Sequence, residues 1–157
     1  LYLCPNGIQR MSADIPGLVQ TSLNLGILQT ENGCVGFDYS VRSSVGSEKD
    51  MIIDKVCLLL SSQGAEVTVS GEYPAWEYRK DSALREKMIR IYENMFGTAP
   101  RVEAIHAGLE CGILASKLPG LDCVSIGPDM KDIHTPRERL SISSTERVWN
   151  YILEILK

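Results

Sequence analysis

Two stretches near the N-terminus alternate apolar and polar residues with the period of a strand. Leu23, Leu25 and Ile27 alternate with Asn24 and Gly26, so a half-buried strand is expected there with all three apolar side chains on one face. Asn32-Gly33 follows, a strong short hairpin signal because both residues tolerate positive φ. The return strand places Val35, Phe37, Tyr39 and Val41 on a dry face and Gly36, Asp38, Ser40 and Arg42 on a wet one. Before this hairpin, residues 1–20 carry Pro5, Gly7, Pro16 and Gly17, which reads as irregular chain.

After the hairpin the period lengthens to that of a helix. Ser47 is a candidate cap, with Asp50 three residues on, and Ile52, Ile53, Val56, Leu59 and Leu60 follow helical spacing up to Gly64. Ala65–Ser70 is then expected to return as a strand, so that hairpin, helix and strand resemble half of a ferredoxin-like sandwich. The linker Gly71–Trp76 comes next. Asp81 or Ser82 caps a second helix, with Leu84, Met88, Ile91 and Met95 at helical spacing and Gly97 ending it. A strand (Val102–His106), a helix (Leu109–Leu118), a strand (Cys123–Ile126), a loop and a closing helix (Ser144–Leu156) complete the chain. That alternation argues for an α/β fold with largely parallel strands. A boundary is expected at the linker, giving domains 1–75 and 76–157.

Composition narrows the functional classes. A net charge of -4 gives no clustered basic surface for nucleic acid, and the longest apolar run, Val56–Leu60, is far too short to span a bilayer. No basic segment followed by an apolar one opens the chain, so a cytoplasmic protein is expected. The 5 cysteines include no C-x-x-C pair, which favours reduced, packed thiols over disulfides or a thiolate metal site. The chain begins Leu1-Tyr2-Leu3 with no initiator Met, which suits a piece of a longer protein.

Candidate chemistry is sparse. There are 2 histidines, His106 and His134, whereas a catalytic zinc normally takes three protein ligands. Taken alone, each His is more readily a structural or solvated residue. His134, however, lies on a loop, Gly127–Glu138, that directly follows a buried-looking strand, and the C-terminal ends of strands in open α/β sheets are where ligands bind. Ala104-Ile105-His106-Ala107-Gly108-Leu109-Glu110-Cys111-Gly112 reads as strand, turn and helix. Its glycines either let a substrate approach the backbone or simply allow close strand–helix packing. Arg42 can bind a carboxylate through two parallel hydrogen bonds, although an Arg on a wet strand face is ordinarily just solvated.

Taken together, Pro5–Ser12, Thr21–Gly26, Val41–Val45, His106–Gly112, Ser125–Pro128 and His134-Thr135-Pro136 resemble the aminoacyl-histidine (Xaa-His) dipeptidases, two-zinc peptidases related to aminoacylases and glutamate carboxypeptidases. His-Ala-Gly-Leu-Glu-Cys-Gly is the most specific of these stretches, and the set runs from the first residues to the last helix. The resemblance implies a lid domain ending near residue 75, followed by the C-terminal part of an α/β zinc-peptidase catalytic domain. It implies that His134 is a metal ligand, that Arg42 and Gly108 bind substrate, and that the cofactor is a zinc pair, replaceable by other divalent metals. It assigns no catalytic residue to this chain: the family's other ligands and its Glu general base have no counterpart here, so this chain alone is expected to be inactive. The expected partners are a dipeptide substrate and further copies of the chain in a homo-oligomer. An aminoacylase-type hydrolase and a non-catalytic, self-associating fragment are the alternative readings. Because the parent's upstream strands and helices would cover them, the faces carrying Leu84, Met88 and Ile91, and Val148, Ile152 and Ile155, are expected to be left exposed in this piece.

Overall fold

The computed structural model describes residues 2–104 and 110–157, and it is a mixed α/β structure. Its elements in chain order are β1 (Gly7–Met11), β2 (Val19–Glu31), β3 (Cys34–Ser43), α1 (Gly46–Ser61), α2 (Ala83–Phe96), α3 (Glu110–Lys117), β4 (Met130–Lys131), β5 (Arg139–Leu140) and α4 (Ile142–Ile155). Contacts gather them into two compact units, Leu1–Tyr78 with Glu103–Pro119 and Arg79–Val102 with Gly120–Lys157. The break at Tyr78 falls close to the expected linker boundary, but Glu103–Pro119, with α3, groups with the first unit.

In the first unit β1, β2 and β3 form an antiparallel sheet in that order. The β2–β3 turn has Asn32 at φ 52 and Gly33 at φ 76, as a two-residue hairpin turn with positive φ at both positions requires. Helix α1 covers one face of this sheet: Ile52 and Val56 pack on Leu23, with Tyr39, Val41 and Leu60 around them. Thr21 is fully buried beside this core, its hydroxyl hydrogen-bonded to that of Ser43 at 2.9 Å.

The sheet departs from the simple alternation at Gly26. Leu25 pairs with Tyr39 but Ile27 pairs with Asp38, so a bulge between them moves Ile27 off the core face. Leu28, opposite Phe37, returns to the same side as Phe37, but this far end of the hairpin lies beyond the core and both Ile27 and Leu28 are exposed. The segment 1–20 is also more ordered than its Pro and Gly content implies. β1 pairs with β2 as an edge strand with two register shifts, and the Asn6 side chain extends the ladder by accepting from the Leu25 N–H at 3.1 Å.

Ser47 does not cap α1. The helix starts at Gly46, and the carboxylate of Glu77, just after the linker, accepts the Gly46 N–H at 3.1 Å. Lys49 fixes the linker a second time by donating to the Tyr73 carbonyl at 3.1 Å. Residues 65–70 form no strand, and neither do 101–104 or 121–129 among the described residues. These apolar stretches have strand composition, but neither sheet pairs with them, and a strand exists only through its hydrogen-bonded neighbour. Every ladder among the described residues is antiparallel, so the expected parallel pairing is not found there.

In the second unit α2 and α4 pack together. Met88 and Tyr151 are buried, and the Tyr151 hydroxyl donates to the Met88 carbonyl at 2.7 Å. Tyr92, Phe96 and Tyr151 form an aromatic cluster with centroid separations of 4.6, 5.5 and 6.4 Å. The expectation that the Met88 and Ile152 faces stand exposed is therefore corrected: these helices turn them inward. A second apolar stripe on α4 and its ends is exposed instead, namely Ile142, Trp149, Leu153 and Leu156. No described helix is long and apolar enough to cross a membrane.

Candidate functional site

The three residues singled out by the sequence fall in three different settings. Gly108, with His106, lies outside the described residues. Arg42 is on β3 in the first unit, and His134 is on the β4–β5 loop in the second.

Arg42 pairs with Ser22 across the ladder, one residue from Val41, which faces α1. Strand alternation therefore turns Arg42 to the face opposite the helix, where it is exposed. Its guanidinium has no ion-pair partner among the described residues, so its fork of N–H donors is open to a ligand carboxylate.

Helix α3 follows the undescribed stretch that contains Gly108. Within α3, Gly112 is buried against the linker: a Cβ there would lie 2.8 Å from the Pro74 carbonyl oxygen and 3.4 Å from the Trp76 Cβ. Of the two roles open to these glycines, Gly112 takes the packing one. It allows a helix to touch linker backbone.

His134 has the most unusual backbone among the candidates. The Thr135 N–H donates to the Asp132 carbonyl at 3.2 Å, closing a turn in which His134 holds the third position at φ 63. Glycine or asparagine ordinarily fills a positive-φ turn position, because a Cβ crowds the backbone there at a cost of roughly 1–2 kcal/mol. Asp132 is also left-handed, at φ 54. The loop is tied by polar contacts. The Thr135 hydroxyl donates to the Asp132 carbonyl at 2.7 Å and accepts from the Arg137 N–H at 3.2 Å. A second turn, with Pro136 at its second position, closes through Glu138 N–H to the Thr135 carbonyl at 3.0 Å. Arg139 pairs with Asp132 at 2.8 Å. The base is anchored on α4, where the Asp129 N–H donates to the hydroxyl of buried Ser144 at 2.8 Å.

The imidazole of His134 is exposed, and no hydrogen bond occupies its ring nitrogens among the described residues. It suits the role of a single donor to a metal. No group of three His, Cys, Asp or Glu side chains that could hold a metal occurs among the described residues, so they make no complete site. Sequence reasoning found the loop but missed Glu138, whose carboxylate accepts the His134 N–H at 2.8 Å. The Thr135-Pro136 pair was the available signal, since Pro at the second position sets a turn that returns the chain four residues on.

No family model matches the chain. Over 157 residues, all of this chain and 32% of the relative, it is 35% identical to the cytosol non-specific dipeptidase of Escherichia coli (strain K12). Its structure is similar to the crystal structure of aminoacylhistidine dipeptidase from Vibrio alginolyticus, with a TM-score of 0.87 and 35% identity, covering 98% of this chain and 31% of that one. The crystal structure of aminopeptidase PepT from Bacillus cereus shares the fold at a TM-score of 0.78 and 19% identity, covering 98% of this chain and 42% of that one. The resemblance to dipeptidases is thus carried by sequence and by fold along essentially the whole chain, which spans about a third of the length of the dipeptidases it matches.

Proposed function

We propose that this chain is the C-terminal portion of a cytosolic two-zinc dipeptidase acting on Xaa-His or related dipeptides, and that it supplies one metal ligand and two substrate contacts. The observation that carries this reading is the match at 35% identity over the whole chain, joined to a TM-score of 0.87 on an aminoacylhistidine dipeptidase. The left-handed backbone of His134 adds independent support, because strained positions concentrate where function requires a fixed side chain.

In this reading residues 1–75 end a lid domain and residues 76–157 return to the catalytic domain. His134 offers a ring nitrogen to the metal from a loop that polar contacts hold in place. Arg42 engages the C-terminal carboxylate of the dipeptide, fixing which peptide bond is presented. Gly108 lets the substrate lie close to the backbone. The metal pair, when bound, lowers the pKa of a water and polarises the scissile carbonyl. The remaining ligands and the general base come from the rest of the protein, so the 157-residue chain alone is inactive.

Metal content and hydrolysis of Xaa-His dipeptides by the full-length protein test the reading. We expect His134→Ala to lower the metal content by one per chain and to remove most of the turnover. A variant retaining its full metal content and activity would overturn the assignment.

A further inference from the structure

We propose that Glu138 is a positioning residue for His134, holding its backbone N–H so that the imidazole is presented in one orientation. The inference rests on the reading of His134 as a metal ligand. Every residue of the loop from Asp132 to Glu138 is exposed, so apolar packing does not fix the His134 backbone. Hydrogen bonds do. The turn closed by Asp132 and Thr135 sets the chain reversal, and the turn closed by Thr135 and Glu138 brings the Glu138 carboxylate back onto the His134 N–H at 2.8 Å. This carboxylate is the acceptor for that N–H among the described residues. Released from it, a non-glycine residue at φ 63 relaxes toward negative φ and swings its side chain away.

Reach and charge can be separated by three substitutions in the full-length protein. Glu138→Gln keeps the length and an acceptor oxygen but loses the charge. Glu138→Asp keeps the charge but is one methylene short. Glu138→Ala loses both. Two readouts are taken: hydrogen exchange of the peptide spanning residues 130–140 in metal-free protein, and zinc affinity by chelator competition. We expect exchange at His134 to rise about tenfold or more in Glu138→Ala and Glu138→Asp. Zinc affinity at one site should fall roughly 10- to 100-fold in both, the range seen when outer-shell partners of a ligand are removed. Glu138→Gln should stay within a few-fold of the parent in both readouts, which a role through charge alone would not allow. Unchanged exchange in Glu138→Asp and Glu138→Ala would overturn the proposal. So would unchanged zinc affinity in variants where His134→Ala does lose a metal. If His134→Ala kept all its metal while exchange still rose in Glu138→Ala, the ligand reading would fail and the hydrogen bond would stand as a purely structural one.

Discussion

The hydroxyl of Ser82 donates to the Asp122 carboxylate at 2.6 Å while accepting the Arg85 N–H at 3.0 Å, so two residues far apart in sequence cap α2 together. The second Asp122 oxygen takes the Leu84 N–H at 2.9 Å. Hydrogen bonding from Ser82, then from Leu84, holds the Asp122 carboxyl below its ordinary pKa of 3.8, against a smaller opposing effect of desolvation. Folding therefore favours the ionised form. The stabilisation is complete above the ordinary aspartate pKa and is lost as pH falls through the lower folded value. The stability advantage of the parent over Asp122→Asn should accordingly shrink from pH 5 toward pH 2 in thermal melts followed by circular dichroism. A gap that did not change with pH would contradict this. Ser82→Ala should cost about 1–2 kcal/mol at neutral pH, the upper range for a lost helix cap.

Gly112 gives a prediction whose sign opposes helix propensity. Replacing an exposed helical glycine with alanine ordinarily stabilises by about 1 kcal/mol. At Gly112 the new Cβ would sit 2.8 Å from the Pro74 carbonyl oxygen, a backbone atom that cannot rotate away. Overpacking of this kind costs about 1–3 kcal/mol. Gly112→Ala should therefore lower the midpoint of chemical denaturation, and an unchanged or raised midpoint would show that the linker is free to move.

How much of this was legible beforehand depended on whether local pattern or distant partners set the structure. The β2–β3 hairpin was readable because a buried face enforces alternation and Asn32-Gly33 enforces the turn. The bulge at Gly26 had only a glycine as its signal, and it moved Ile27 to the other face. The cap of α1 was misplaced at Ser47 because the group that satisfies Gly46, Glu77, is 31 residues away. Residues 65–70 and 123–126 have the composition of strands but lack neighbours in the described sheets. In the candidate site, His134 and Arg42 could be named from the family resemblance, but the turn geometry that sets the His134 backbone could not. It arises from hydrogen bonds of Asp132, Thr135 and Glu138 that no periodicity encodes.

Arg42 separates a carboxylate clamp from a solvated surface residue. On the proposed function, Arg42→Ala in the full-length protein should lower kcat/KM roughly 10- to 100-fold, mostly through KM, since hydrogen bonds to a charged group contribute about 1.5–3 kcal/mol. Arg42→Lys should recover only part of the loss, because an ammonium lacks the planar fork. Steady-state kinetics on a dipeptide and on its C-terminal amide provide the check. Loss confined to the free acid identifies the carboxylate as the partner, whereas kinetic parameters equal to those of the parent would rule it out.

Ile142, Trp149, Leu153 and Leu156 form one apolar stripe along α4 and its ends, with Ile142 86% and Trp149 59% exposed. Contiguous apolar surface of this kind drives association. The isolated 157-residue chain should therefore self-associate in light scattering and enhance the fluorescence of an apolar dye. Replacing Trp149 and Leu153 with glutamate should reduce both effects without loss of helicity, because Val148, Tyr151 and Ile152 hold the opposite, packed face of α4. Full-length protein should bind little dye. An isolated chain that is monomeric and silent toward the dye would mean that this stripe needs no cover.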